Sequence, residues 1–166
     1  MAGFSRPDKQ TALPKKSIRD LALNGARVFL RVDFNVPLKN GVIGDDTRIR
    51  SSIPTIEHAL AAGASRVILA SHLGRPKGGP NPEMSLKPVA MRLAELLGSP
   101  VAFADDCIGP AVAAAGTSGV VLLENLRFHP EEEKNDAAFA TQLAEGIDVY
   151  VNDAWARCAE PNASFT

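Results

Sequence analysis

Polar residues gather in this sequence directly behind short apolar runs. Arg31, Asp33 and Asn35 close the run at 28–32 and are followed by Pro37. Ser71, His72, Gly74, Arg75 and Pro76 close the run at 66–71. Glu124, Asn125, Arg127 and His129 close the run at 120–124, and Arg48 and Arg50 stand shortly after Gly41. If the runs are strands of one parallel sheet, these residues share its carboxyl edge, where α/β folds collect their ligand groups. The planar fork of arginine matches carboxylate and phosphate oxygens. Helix N-termini on the same edge add partial positive charge. The set therefore suits a small polyanion. Asp33 offers an acceptor for a hydroxyl and Asn35 a neutral donor, which a phosphorylated hydroxy acid needs. A single arginine behind a strand is ordinary solvated surface. The argument rests on several arriving together.

The elements that must position them can be read from periodicity. Residues 28–32, 66–71, 101–104, 120–124 and 148–152 are short and apolar, as strands covered on both faces are. Between them, 47–62 repeats Ile49, Ile53, Ile56 and Leu60 at helical spacing, with Gly63 as a stop and Pro54 as an internal objection. Residues 85–97 predict a helix with Ser85 as N-cap and Gly98 as stop. A short helix is expected over 109–115, and another over 136–145 capped by Asn135 or Asp136. The acidic run Glu131 to Glu133 reads as a solvated helix entry. Five strands with four intervening helices predict an α/β fold: a doubly wound parallel sheet, Rossmann-like, in three layers.

Composition narrows the function. The chain has 166 residues, 45% hydrophobic and 22% charged, which suits one domain. A net charge of -1 and 5% aromatics argue against a nucleic-acid partner. No stretch reaches the about 20 apolar residues that cross a bilayer, so no membrane partner is expected. Cys107 and Cys158 are far apart, form no CxxC pair and have no His at metal-ligand spacing, so reduced thiols and no metal site are expected. Residues 1–16 lack an apolar signal segment and read as a flexible extension. There is no GxxxxGK[ST] loop, no GxGxxG behind the first run, no GxSxG and no HExxH.

Longer motifs carry the reading further. RVFLRVDFNVP (27–37), HLGRP (72–76), LENLRFHPEEEKN (123–135) and DVYVNDA (148–154) closely resemble, in order and rough spacing, four signature stretches of the phosphoglycerate kinases. The resemblance implies an N-terminal, acid-binding domain over 17–154. It implies phosphoryl transfer between 1,3-bisphosphoglycerate and ADP, giving 3-phosphoglycerate and ATP. On this sequence Asp33 and Asn35 would hold the glycerate end. Arg48 would be the catalytic group at the transferring phosphoryl. His72, Arg75 and Arg127 would grip the distal phosphate. ATP or ADP with Mg2+ would bind a second domain that these 166 residues do not include, so the chain alone is expected to be inactive. A cytoplasmic monomer is expected.

One stretch departs from the family. Where it usually reads Phe-Gly-Thr-x-His-Arg-Ala-His-Ala-Ser, this chain runs from Trp155 to Ser164 with Ala159 and Glu160 in place of the His-Arg pair. A carboxylate there repels phosphate, so no binding role is assigned over 155–162. Reading the back-translated codons of 154–161 one base earlier restores the glycine and permits the arginine. A compensated frameshift would make 155–166 a divergent, irregular and poorly packed tail. Two other readings stay open: a stand-alone binding module for phosphorylated acids, and a non-functional gene product.

Overall fold

The computed structural model describes residues 16–77, 79–116, 119–154 and 164. The expectations for 1–15, and for the tail at 155–163 and 165–166, lie outside the described residues. Along the chain run β1 (Arg27–Arg31), a hairpin of β2 (Leu38–Lys39) and β3 (Val42–Ile43), α1 (Thr47–Ala61), β4 (Arg66–Ala70) and α2 (Lys87–Leu97). Then follow β5 (Val101–Ala104), α3 (Pro110–Ala114), β6 (Gly119–Leu123), α4 (Pro130–Glu133), α5 (Ala137–Leu143) and β7 (Val149–Asn152).

Five strands pair side by side in the order β5-β6-β4-β1-β7, every pair parallel. Register sets Leu30 opposite Leu69 and Leu69 opposite Leu122, so alternate side chains sort onto two faces. Val28, Leu30, Val67, Leu69, Val120 and Leu122 meet Ile49, Ile56 and Ala59 of α1 and Val89 and Leu93 of α2. Phe29, Ile68, Val121 and Leu123 meet Phe139 and Leu143 of α5, with Val112 of α3 packed beside them. Leu30, Leu69 and Leu122 are wholly buried, each contributing about 1.5–3 kcal/mol. This is the doubly wound three-layer architecture that periodicity predicted.

Topology fixes where a ligand fits. The connections through α1 and α2 step along the sheet from β1 to β4 and on to β5. Those through α3 and then α4 with α5 step back, to β6 and to β7. The chain therefore leaves the neighbours β4 and β6 in opposite directions, which opens a crevice beyond their carboxyl ends.

Local details correct several expectations. Pro54 sits inside α1 without ending it, because Ile49, Ser52, Ile56 and Ala59 bury one face along its length. The second helix begins at Lys87, not Ser85, and its N-cap position is Leu86. The Ser85 hydroxyl still accepts from the Lys87 amide at 3.2 Å. Asp136, not Asn135, caps α5 by accepting from the Phe139 amide. The β2–β3 hairpin was not expected, although Asn40 and Gly41 carry the turn signal: both have positive φ, 50° and 75°. Among the described residues no helix is long and apolar enough to cross a membrane.

Candidate functional site

The crevice is built on Asn125, at the end of β6 and wholly buried. Its side-chain oxygen accepts from the amides of Leu73 and Arg127, both at 3.1 Å. Its amide nitrogen donates to the carbonyls of Leu73 at 2.7 Å and Met84 at 3.0 Å. One side chain thus ties the loop behind β4 to the loop behind β6. Beside it, Glu124 accepts from the Ser85 hydroxyl and the Leu86 amide, which anchors the start of α2.

A continuous series of polar contacts crosses the edge from there. Arg127 Nη1 donates to the Gly74 carbonyl at 3.0 Å. The Gly74 amide donates to Asn35 Oδ1 at 2.9 Å. The Asn35 amide donates to Asp33 Oδ1 at 3.2 Å, and Asp33 Oδ2 takes Arg48 Nη1 at 2.6 Å. Gly74 is the node. Its φ is +60°, and a Cβ there would stand 3.1 Å from Met84 Sδ, so any other residue strains the turn. Arg48, on the first turn of α1, and Arg75, next to Gly74, are exposed to solvent.

Behind this front lies a second, buried layer. Arg31 ends β1 with 1% of its surface exposed. It donates to the carbonyls of Val32 and Ala70, to Ser164 Oγ at 3.0 Å, and contacts His72 Nδ1 at 3.1 Å. Glu132 accepts from both the amide and the hydroxyl of Ser164. Burial pushes the Arg31 pKa down and the nearby Glu132 carboxylate opposes this; an arginine so placed stays protonated at neutral pH. The third member of the acidic run, Glu133, lies 3.6 Å from Arg127 Nε.

All six residues singled out from the sequence stand on this edge. Asp33, Asn35, Arg48 and Arg127 join the polar series directly, Arg75 adjoins it, and His72 joins the buried layer through Arg31. Two expectations fail. The acidic run is not a uniformly solvated helix entry, since Glu132 is 1% exposed and bonded to Ser164. The tail is not poorly packed at Ser164, which is 5% exposed and bridges Arg31 to Glu132. Sequence reasoning noted Arg31 and Asn125 but gave them no role. A signal existed for Arg31: a charged residue in a strand covered on both faces must be buried and paired.

Comparison with known proteins places the chain in a family. The family model for phosphoglycerate kinase matches residues 18–166. The phosphoglycerate kinase of Solibacter usitatus is 59% identical over 155 residues, covering 89% of this chain and 39% of the relative. That of Moorella thermoacetica is 56% identical over 156 residues, covering 92% of this chain and 39% of the relative. Among solved structures, the phosphoglycerate kinase of Coxiella burnetii superposes with a TM-score of 0.80 at 38% identity, over 91% of this chain and 38% of that one. The chain thus spans about two fifths of the length of the relatives it matches. With the family's model covering nearly every residue and its signature motifs meeting on one sheet edge, the chain belongs to the phosphoglycerate kinase family.

Proposed function

We propose that this chain provides the acid-binding half of a phosphoglycerate kinase, the site for 3-phosphoglycerate and 1,3-bisphosphoglycerate in glycolysis. The observation that carries the reading is the bonded series Arg48–Asp33–Asn35–Gly74–Arg127 at the crevice where the connections diverge. Arg48 faces solvent and exchanges its bond to Asp33 for the transferring phosphoryl, whose charge it stabilises. Asp33, once released, accepts the hydroxyl of the glycerate, and the Asn35 amide group donates to the same end. Arg75 meets the distal phosphate from the solvent side. Arg127 lies behind it, adding positive field and holding the Gly74 turn, while His72 lies deeper, against Arg31. Catalysis comes from positioning and charge stabilisation, with no covalent intermediate.

The family resemblance implies ATP or ADP with Mg2+. The carboxylates that line the acid crevice itself do not fit a magnesium nucleotide: Asp33 serves Arg48 or the glycerate hydroxyl, Glu124 holds Ser85 and Leu86, and Glu133 pairs with Arg127. The 166 residues alone are expected not to turn over, and the protein is proposed to act as a cytoplasmic monomer on small molecules.

Calorimetry with 3-phosphoglycerate tests the reading. Binding should be weak and fall with added salt, because Arg48 and Arg75 are open to water. Equal affinity in the parent, Arg48→Ala and Arg75→Ala would overturn the site. A coupled assay with ATP above background would overturn the expected inactivity.

A further inference from the structure

β5 and β6 are neighbours in the sheet, with Ala104 opposite Leu123, so the loops behind them leave the carboxyl edge side by side. The first loop carries Asp106 and Cys107. The second carries His129, where α4 begins. These residues are distant in sequence, yet Asp106 Oδ, Cys107 Sγ and a ring nitrogen of His129 lie within 4.8 Å of one another. We propose that Asp106, Cys107 and His129 form a binding site for one thiophilic divalent cation of the zinc type, beside the acid half-site and independent of it.

The donor set selects the ion. A thiolate and an imidazole favour zinc-like ions, whereas magnesium prefers oxygen ligands. The distances are close to what such an ion needs. Bonds of about 2.0–2.3 Å separate tetrahedral ligand atoms by roughly 3.3–3.8 Å. His129 Nε2 now sits 2.6 Å from Asp106 Oδ1. That pair opens by roughly 1 Å and Cys107 Sγ closes in, which side-chain rotation supplies. His129 stacks on Phe139 with ring centroids 4.9 Å apart, which fixes the plane of the imidazole. The Asp106 carboxylate is steadied by the Cys107 amide at 2.6 Å.

Burial gives the site an inside and an outside. Cys107 is 3% exposed, while Asp106 and His129 reach the surface and leave room for entry and for a water as fourth ligand. The Cys107 thiol donates to the Glu124 carbonyl at 2.9 Å. Burial, then the carboxylates of Asp106, Glu124 and Glu132, hold its pKa well above the ordinary thiol value. Without an ion it is therefore a poor nucleophile. A cation reverses that balance: the S–H bond breaks, its proton goes to solvent, and a metal–sulfur bond forms with no change of oxidation state.

Cobalt(II) is the probe. Titrated into the full 166-residue chain, it should produce one equivalent of a thiolate-to-cobalt charge-transfer band that Zn2+ abolishes and Mg2+ does not. Cys107→Ser should lose the band and Cys158→Ser should keep it. Asp106→Asn and His129→Gln should each weaken binding by roughly tenfold or more. No band in the parent overturns the proposal, as does a band that survives in Cys107→Ser and vanishes in Cys158→Ser. Should Cys107→Ser fail to fold by circular dichroism, Asp106→Asn decides alone, since its side chain is partly in solvent: unchanged cobalt affinity there also overturns it.

Discussion

β1 begins and ends with an arginine, and the two ends of the sheet treat them in opposite ways. At the amino edge, Arg27 meets Asp148 with Nε at 3.4 Å, and the two side chains are 50% and 49% exposed. At the carboxyl edge, Arg31 is buried among His72, Ser164 and two carbonyls. Water already solvates Arg27, so its ion pair adds little. Arg31 has given up its hydration, so every donor it presents must be met by protein. The same residue type is surface at one end and framework at the other. Arg48 and Arg75 stand in solvent on the same edge, in front of this buried layer.

The sharpest way to break this comparison is Arg31→Met. It deletes the buried guanidinium and leaves Glu132 and His72 without it, and should cost about 3–5 kcal/mol in urea denaturation. A loss no larger than that of Arg27→Ala would erase the distinction. Asn125→Ala should come next, at about 2–4 kcal/mol, because the backbone groups of Leu73, Arg127 and Met84 lose their shared partner in a dry site. Its 3-phosphoglycerate affinity should fall in parallel, since the two loops are no longer tied.

Arg48→Ala should separate binding from folding. The side chain is half exposed, so the denaturation midpoint should hardly move. Affinity for 3-phosphoglycerate should drop by about 1.5–3 kcal/mol, roughly ten- to a hundredfold. A stability loss with unchanged affinity would place Arg48 in the framework instead.

The smallest effect belongs to the amino edge and is read through pH. The Arg27 amide, and then its side chain, hold the Asp148 carboxyl below its ordinary pKa. A depressed carboxylate stabilises the fold above its unfolded pKa of about 3.9, and the contribution is lost as pH falls through the folded value. Arg27→Ala keeps the amide and should keep most of this dependence. Asp148→Asn should remove it. Comparing midpoints at about pH 3 and pH 7 distinguishes them; equal flattening in both variants would assign the effect to the side chain.

Much of this was legible before any coordinate. Short, β-branched apolar runs such as 66–71 read as strands buried on both faces, and 47–62 repeats at a helical period that Pro54 interrupts but does not defeat. Placing polar residues behind those strands follows from parallel pairing, which is why Asp33, Asn35, His72, Arg75 and Arg127 meet on one edge as expected. The hairpin at Asn40 and Gly41 is carried by turn chemistry alone, because its flanking strands are only two residues each and show no periodicity.

What the sequence by itself determined is the identity and direction of the edge, because local periodicity and strand polarity are properties of the chain. What only the tertiary structure decided is which polar residues face water and which become framework. Arg31 and Arg48 look alike as residues, and Glu131, Glu132 and Glu133 look alike as a run. Burial is set by neighbours remote in sequence: Ser164 reaches Arg31 and Glu132, Asn125 reaches Leu73, and His129 reaches Asp106. Charge in a protein takes its energy from the dielectric and the partners around it, and those exist only once the strands have been brought side by side.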